Sequence, residues 1–87
     1  MSIKLINFSI ADLKNNDACI EHIQTHDHLV VAGSGFLVNT SKSLDILRRE
    51  LAEYFDKADE LFIVKLKEKD WLSFHLGAKK KWIEENI

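Results

Sequence analysis

Apolar residues alternate with others from Ile3 to Ile10. Ile6, Phe8 and Ile10 fall on one side, and Ile3, Leu5, Asn7 and Ser9 on the other. A period of two predicts a strand with one face fully apolar and the other apolar only at its start. The period then lengthens. Leu13, Ile20 and Ile23 recur at helical spacing, with Asn16 and Asp27 flanking the stripe. Ser9 or Asp12 is placed to open this helix, with Asn16 or Asp17 as a later start, since Asn15, Asn16 and Asp17 are poor interior residues. Its end falls between Thr25 and Asp27.

Two β-like runs follow, His28 to Ala32 and Phe36 to Thr40, separated by Gly33, Ser34 and Gly35. Glycine tolerates the positive φ that tight hairpins need, so the runs read as a hairpin with a Gly-Ser turn of type II′. A second helix carries Leu44, Leu47, Leu51, Tyr54 and Phe55 on one stripe, with Thr40, Ser41 or Ser43 as its cap. Asp45 with Arg49, and Arg49 with Glu53, are i,i+4 pairs on its outer side. Asp56 to Asp59 is a turn. Glu60 to Lys67 alternates again, with Phe62, Val64 and Leu66 on one face and Leu61, Ile63, Lys65 and Lys67 on the other. Asp70 then caps a terminal helix with Trp71, Leu72, Leu76, Trp82 and Ile83, interrupted by Gly77 at a cost of about 1 kcal/mol relative to alanine.

The order is strand, helix, strand, strand, helix, strand, helix. This predicts an α+β chain: a ferredoxin-like βαββαβ antiparallel sheet plus a C-terminal helix, with residues 1–87 forming a single domain. Right-handed crossovers place the two main helices on one sheet face. Ile3, Leu5, Leu37, Leu61 and Ile63 are expected on the other, where an apolar surface needs a cover. The terminal helix, a second subunit, or both would supply it.

Composition narrows the function classes. Twelve basic and 14 acidic residues give a net charge of −2, which argues against coating nucleic acid by bulk charge. At 46% hydrophobic and 30% charged, the chain is that of a globular protein. The longest apolar runs, Leu29 to Ala32 and Leu61 to Val64, are far too short for a membrane span, which takes about 20 residues. Met1 to Ile10 lacks the features of a secretory peptide. One cysteine excludes an internal disulfide and suits a reducing cytoplasm.

Gly35 to Ile87 resembles the small ferredoxin-like proteins of the SinR family, relatives of the small CRISPR spacer-acquisition subunit. The matching features are Phe36-Leu37-Val38 followed by Asn39-Thr40-Ser41, the amphipathic helix to Phe55, Asp59-Glu60-Leu61-Phe62-Ile63-Val64, and Trp82-Ile83-Glu84-Glu85-Asn86. The spacer-acquisition subunit carries a metal-binding aspartate at the end of its first strand, after an aromatic residue. Here Ser9 stands at that place, and a neutral hydroxyl is a poor ligand for a hard cation. The resemblance therefore implies a fold and a dimerising habit in a phage or defence setting, and no catalytic residue.

Candidate chemistry is sparse. Cys19, His22 and His26 share a helical stripe, with His28 beyond, and sulfur with imidazole suits zinc. No standard ligand spacing accompanies them, so a buried Cys19 and solvated histidines near a helix end are the simpler reading. A thiol–histidine nucleophile needs a third, orienting group. Gly33-Ser34-Gly35 fails both phosphate-loop patterns. Lys79, Lys80 and Lys81, between Trp71 and Trp82, form a basic run able to contact nucleic acid, or a solvated helix face. Asp12 is the one acid able to replace the missing metal ligand, unless it caps the helix.

These readings predict a small non-catalytic binding module, with no cofactor. It acts as a homodimer toward a protein partner, with Leu5, Leu61, Ile63, Trp71 and Phe74 as interface residues. A regulator or inhibitor of a nucleic-acid-handling or defence complex fits that description. The alternatives are a metal-dependent nuclease of the spacer-acquisition or virulence-associated toxin type using Asp12, and an RNA- or DNA-binding protein without cleavage.

Overall fold

The computed structural model describes residues 2–33, 35–67 and 77–86. Strand β1 (Ser2–Ser9) leads to helix α1 (Leu13–Ile23), then to strands β2 (Asp27–Val31) and β3 (Gly35–Thr40). Helix α2 (Leu44–Leu51) tightens into a 3₁₀ turn at Ala52–Tyr54, followed by β4 (Glu60–Lys65) and α3 (Ala78–Asn86). The four strands form one antiparallel sheet in the order β2-β3-β1-β4. Among the described residues β1 is therefore central, and β2 and β4 are edges.

Local chemistry explains the helix starts. Asp12 is extended and its carboxylate accepts from the Asn15 N–H at 2.9 Å. Ser43 does the same for Ile46 at 3.2 Å. Each satisfies one of the otherwise orphaned N–H groups of a first turn. Of the alternatives in the sequence, Asp12 and Ser43 are the caps. On the outer side of α2, Asp45 pairs with both Arg48 and Arg49 at 2.8 Å.

The sheet is packed on both faces. Ile6, Phe36 and Val38 bury against Cys19 and Ile23 of α1 and Leu47 and Leu51 of α2. Ile3 and Leu37, on the opposite face, bury against Ile83 of α3, with Leu5, Leu29, Val31, Leu66 and Trp82 around them. Each fully buried aliphatic side chain contributes about 1.5–3 kcal/mol. The amide of Asn39 on β3 donates to Asn86 Oδ1 at 2.9 Å, and Asn86 Nδ2 donates to the Trp82 carbonyl at 2.7 Å. This polar clamp fixes α3 on its own sheet, so the cover over the second face comes from the same chain.

Three expectations need correction. Leu61 and Ile63 lie on the helix-covered face, because the register pairs them with Phe8 and Ile6. Phe62 and Val64 take the opposite face. Leu5 points to the second face as expected, and α3 packs around it. Leu13 is 78% exposed, and Cys19 replaces it in the α1 stripe. Gly77 does not sit inside a helix: its φ of 59° is left-handed, and it precedes α3.

The β2–β3 turn also differs in detail. Ala32 and Gly33 both have positive φ, 50° and 77°, and Ser34 of the expected Gly-Ser pair lies outside the described residues. Gly35 is a close approach: a Cβ there would lie 3.3 Å from Leu5 Cδ1, Val31 Cγ2 and the Val31 carbonyl, so these neighbours would have to give way slightly.

Candidate functional site

Among the described residues, two places concentrate chemistry: the outer edge of β4, which no described strand covers, and a polar cluster between α1 and α2. At the edge, Leu66 N–H donates to the Ile3 carbonyl at 2.8 Å. Backbone groups of an antiparallel strand alternate in direction. Phe62 and Val64 therefore turn their N–H and C=O toward β1, and Leu61, Ile63 and Lys65 turn theirs outward. This row of outward groups is a template for strand pairing.

Phe62 sits in the middle of that edge and is 60% exposed. A shallow groove flanks it on each side. One, of about 410 Å³, runs between β4 and the start of α2 and is lined by Leu44, Asp45, Arg48, Leu61, Phe62 and Ile63. The other, of about 450 Å³, is lined by Asn7, Phe8, Ser9, Glu60, Leu61 and Phe62. Leu44 and Ile46 add exposed apolar surface on α2. An open strand with a groove on each face suits an extended polypeptide: main-chain hydrogen bonds hold it, and alternate side chains enter the grooves.

The polar cluster joins elements distant in sequence. His22 Nε2 lies 3.0 Å from Glu50 Oε1, and its Nδ1 lies 3.1 Å from the Tyr54 hydroxyl. Lys42 Nζ donates to Glu50 at 2.9 Å and lies 3.2 Å from His26 Nε2. His26 Nδ1 faces the Ile23 carbonyl at 3.2 Å. A carboxylate and a carbonyl only accept. Neutral His22 thus carries its proton on Nε2 and accepts from Tyr54, while neutral His26 carries its proton on Nδ1 and accepts from Lys42. The Lys42 ammonium and the His22 ring hold the Glu50 carboxyl below the usual carboxylate range.

Cys19 is fully buried, and burial pushes its thiol up to about 11, so it offers no thiolate beside the histidines. Both ring nitrogens of His22 are engaged within the protein, and Lys42 supplies the cation that Glu50 binds. Among the described residues, no group of three or more histidine, cysteine or acidic side chains is arranged to hold a metal ion. His28 turns its Nδ1 back to the His26 carbonyl at 2.9 Å.

The remaining candidates fall as follows. Asp12 caps α1. Ser9 pairs with Glu60 across β1 and β4 and lines the second groove. Lys79, Lys80 and Lys81 are exposed on α3, and Lys81 lies 3.8 Å from Glu85. Trp82 packs into the second core. Trp71 and Phe74 lie outside the described residues, as does the expected cap Asp70. Among the described residues, no helix is long and apolar enough to cross a membrane.

Sequence reasoning missed Phe62, assigned to a buried face, and the partners Lys42 and Glu50. The i,i+4 spacing of His22 and His26 was visible, but Glu50 is brought to them only by the packing of α2 on α1. Neither a protein-family model nor a curated protein matches the chain.

Proposed function

We propose that this chain is a non-catalytic binding module that engages extended polypeptide segments by strand addition at β4. The observation that carries the reading is Phe62, exposed at the centre of an open edge and flanked by a groove on each face. The fold underneath it we take as ferredoxin-like with an added C-terminal helix. The element order and the strand order β2-β3-β1-β4 support this. The resemblance to SinR-like proteins supports a role as regulator or inhibitor of a nucleic-acid-handling or defence complex.

The test pairs two measurements on one preparation. Peptides selected from a random display library are titrated into labelled protein. The expected result is perturbation of the Leu61, Ile63 and Lys65 amides, abolished by Phe62→Asp. RNA and DNA are incubated with the protein and Mg²⁺ or Mn²⁺, and no cleavage is expected. Cleavage that disappears in Asp12→Ala overturns the reading in favour of a nuclease.

A further inference from the structure

We infer that one occupant of the β4 edge is the β4 strand of a second copy, paired antiparallel about a two-fold axis through Ile63. This deepens the strand-addition reading and rests on it. Charge supports the choice of occupant. Asp56, Asp59 and Glu60 outweigh Lys57 at one end of the strand, and Lys65 and Lys67 lie at the other. Glu60, Lys65 and Lys67 are exposed. Antiparallel self-pairing sets the acidic end of each copy against the basic end of its partner, at both ends of the interface. Parallel pairing sets like against like, which is destabilising across a ladder.

Parity selects the register. Outward residues must meet outward residues, so Leu61, Ile63 and Lys65 of one copy face the same three of the other. Centring on Ile63 engages all three. Ile63 then faces its own counterpart, and Leu61 faces the partner's Lys65 at two symmetric positions. Phe62 falls opposite the partner's Val64, an aromatic–β-branched pair favourable in antiparallel ladders. Asp59 and the partner's Lys67, each just beyond the ladder, come to the same end of the interface, with the Asp59 carboxylate held in place by the Ala11 and Asp56 N–H groups. The two sheets become one continuous sheet of twice the width, and Phe62, exposed in the single chain, gains a cover.

Sedimentation velocity over a concentration series tests the pairing, with circular dichroism as the folding control. Wild type is expected to dimerise. Phe62→Asp should weaken the dimer by about 30-fold or more, as loss of a central aromatic anchor does. Lys65→Pro removes an outward N–H and no bond to β1, so it should abolish pairing without unfolding the chain. The decisive arm uses charge. Lys65→Glu with Lys67→Glu makes both ends acidic, and Asp56→Lys with Glu60→Lys makes both ends basic. Each double variant alone should be monomeric, and an equimolar mixture should form the heterodimer. A wild type that stays monomeric at every concentration overturns the inference. So does unimpaired self-association of both charge variants. Peptide binding at Leu61, Ile63 and Lys65 would still be seen in either case if strand addition itself holds.

Discussion

His22 and Glu50 stand 28 residues apart in the chain, and the His22 Nε2–H donates to Glu50 Oε1 across 3.0 Å. The pair links α1 to α2, and Lys42 and Tyr54 extend it to the β3–α2 connection and the 3₁₀ turn. All of these side chains are partly buried. Their hydrogen bonds are screened less than those of surface pairs such as Asp45–Arg48.

Glu50→Gln removes the charge that Lys42 and His22 bind. It should destabilise the fold by about 1–2 kcal/mol at neutral pH. The Glu50 carboxyl titrates lower when folded than when unfolded, first because of Lys42 and then because of His22. Its stabilisation is therefore present above the unfolded carboxylate range and is lost as pH falls through the folded value. Urea melts of wild type and Glu50→Gln should differ most at neutral pH and converge in acid. A difference that stays constant with pH would refute this coupling.

Cys19 is enclosed among the core residues of α1, α2 and the sheet. Its thiol, raised to about 11 by burial, should be inert to disulfide reagents in the native protein and react only as fast as the chain opens. Thiol labelling in increasing urea is expected to track global unfolding. Between the unfolded value near 9 and about 11 the native state holds the proton that the unfolded state releases, so this group lowers stability as pH rises through that window. Cys19→Ala should remove that decline.

Lys4 is buried on the helix-covered side, and its Nζ donates to the Thr40 carbonyl at 2.8 Å. Burial lowers its pKa, and the neighbouring Lys65 lowers it further. In the alkaline range just below 10.5 the unfolded chain binds more protons at this residue, so its cost to stability falls as pH rises. Lys4→Met keeps the stem and deletes the charge. It is expected to stabilise the protein on the order of 1 kcal/mol at neutral pH, with the gain shrinking in alkali. A loss of stability at neutral pH would show that the bond to Thr40 outweighs desolvation.

The β2–β3 turn offers a paired prediction. Ala32 occupies φ 50°, where an L side chain crowds the following carbonyl. Ala32→Gly relieves this and, after the added unfolded-state entropy, should raise stability by about 0.5–1 kcal/mol. Gly35→Ala should act in the opposite sense, since its Cβ would press on Leu5 and Val31 at 3.3 Å. Thermal melts of the two variants should bracket wild type.

Much of the architecture was legible in the hydrophobic pattern. The alternation in Ile3–Ile10 and the stripe of Leu47 and Leu51 predicted β1 and α2, and side chains one pleat or one turn apart sense the same neighbours. Asp12 and Ser43 were readable as caps because a cap acts within three residues of itself. The candidate site was barely legible. The two faces of Glu60–Lys65 carry similar apolar residues, so the pattern could not decide which side Leu61 and Phe62 take.

The sequence by itself determined the α+β class, the order of the elements and the near-neutral charge. These depend on periodicity, on local hydrogen bonding and on composition. Only the tertiary structure decided the rest. The β1–β4 register turned Leu61 and Ile63 inward and left Phe62 exposed on an edge. The packing of α2 beside α1 brought Glu50 to His22. The Asn39–Asn86 clamp helped to close α3 over its own sheet. Each is a contact between residues far apart in the chain, set by which surfaces can be buried together, and no local spacing encodes it.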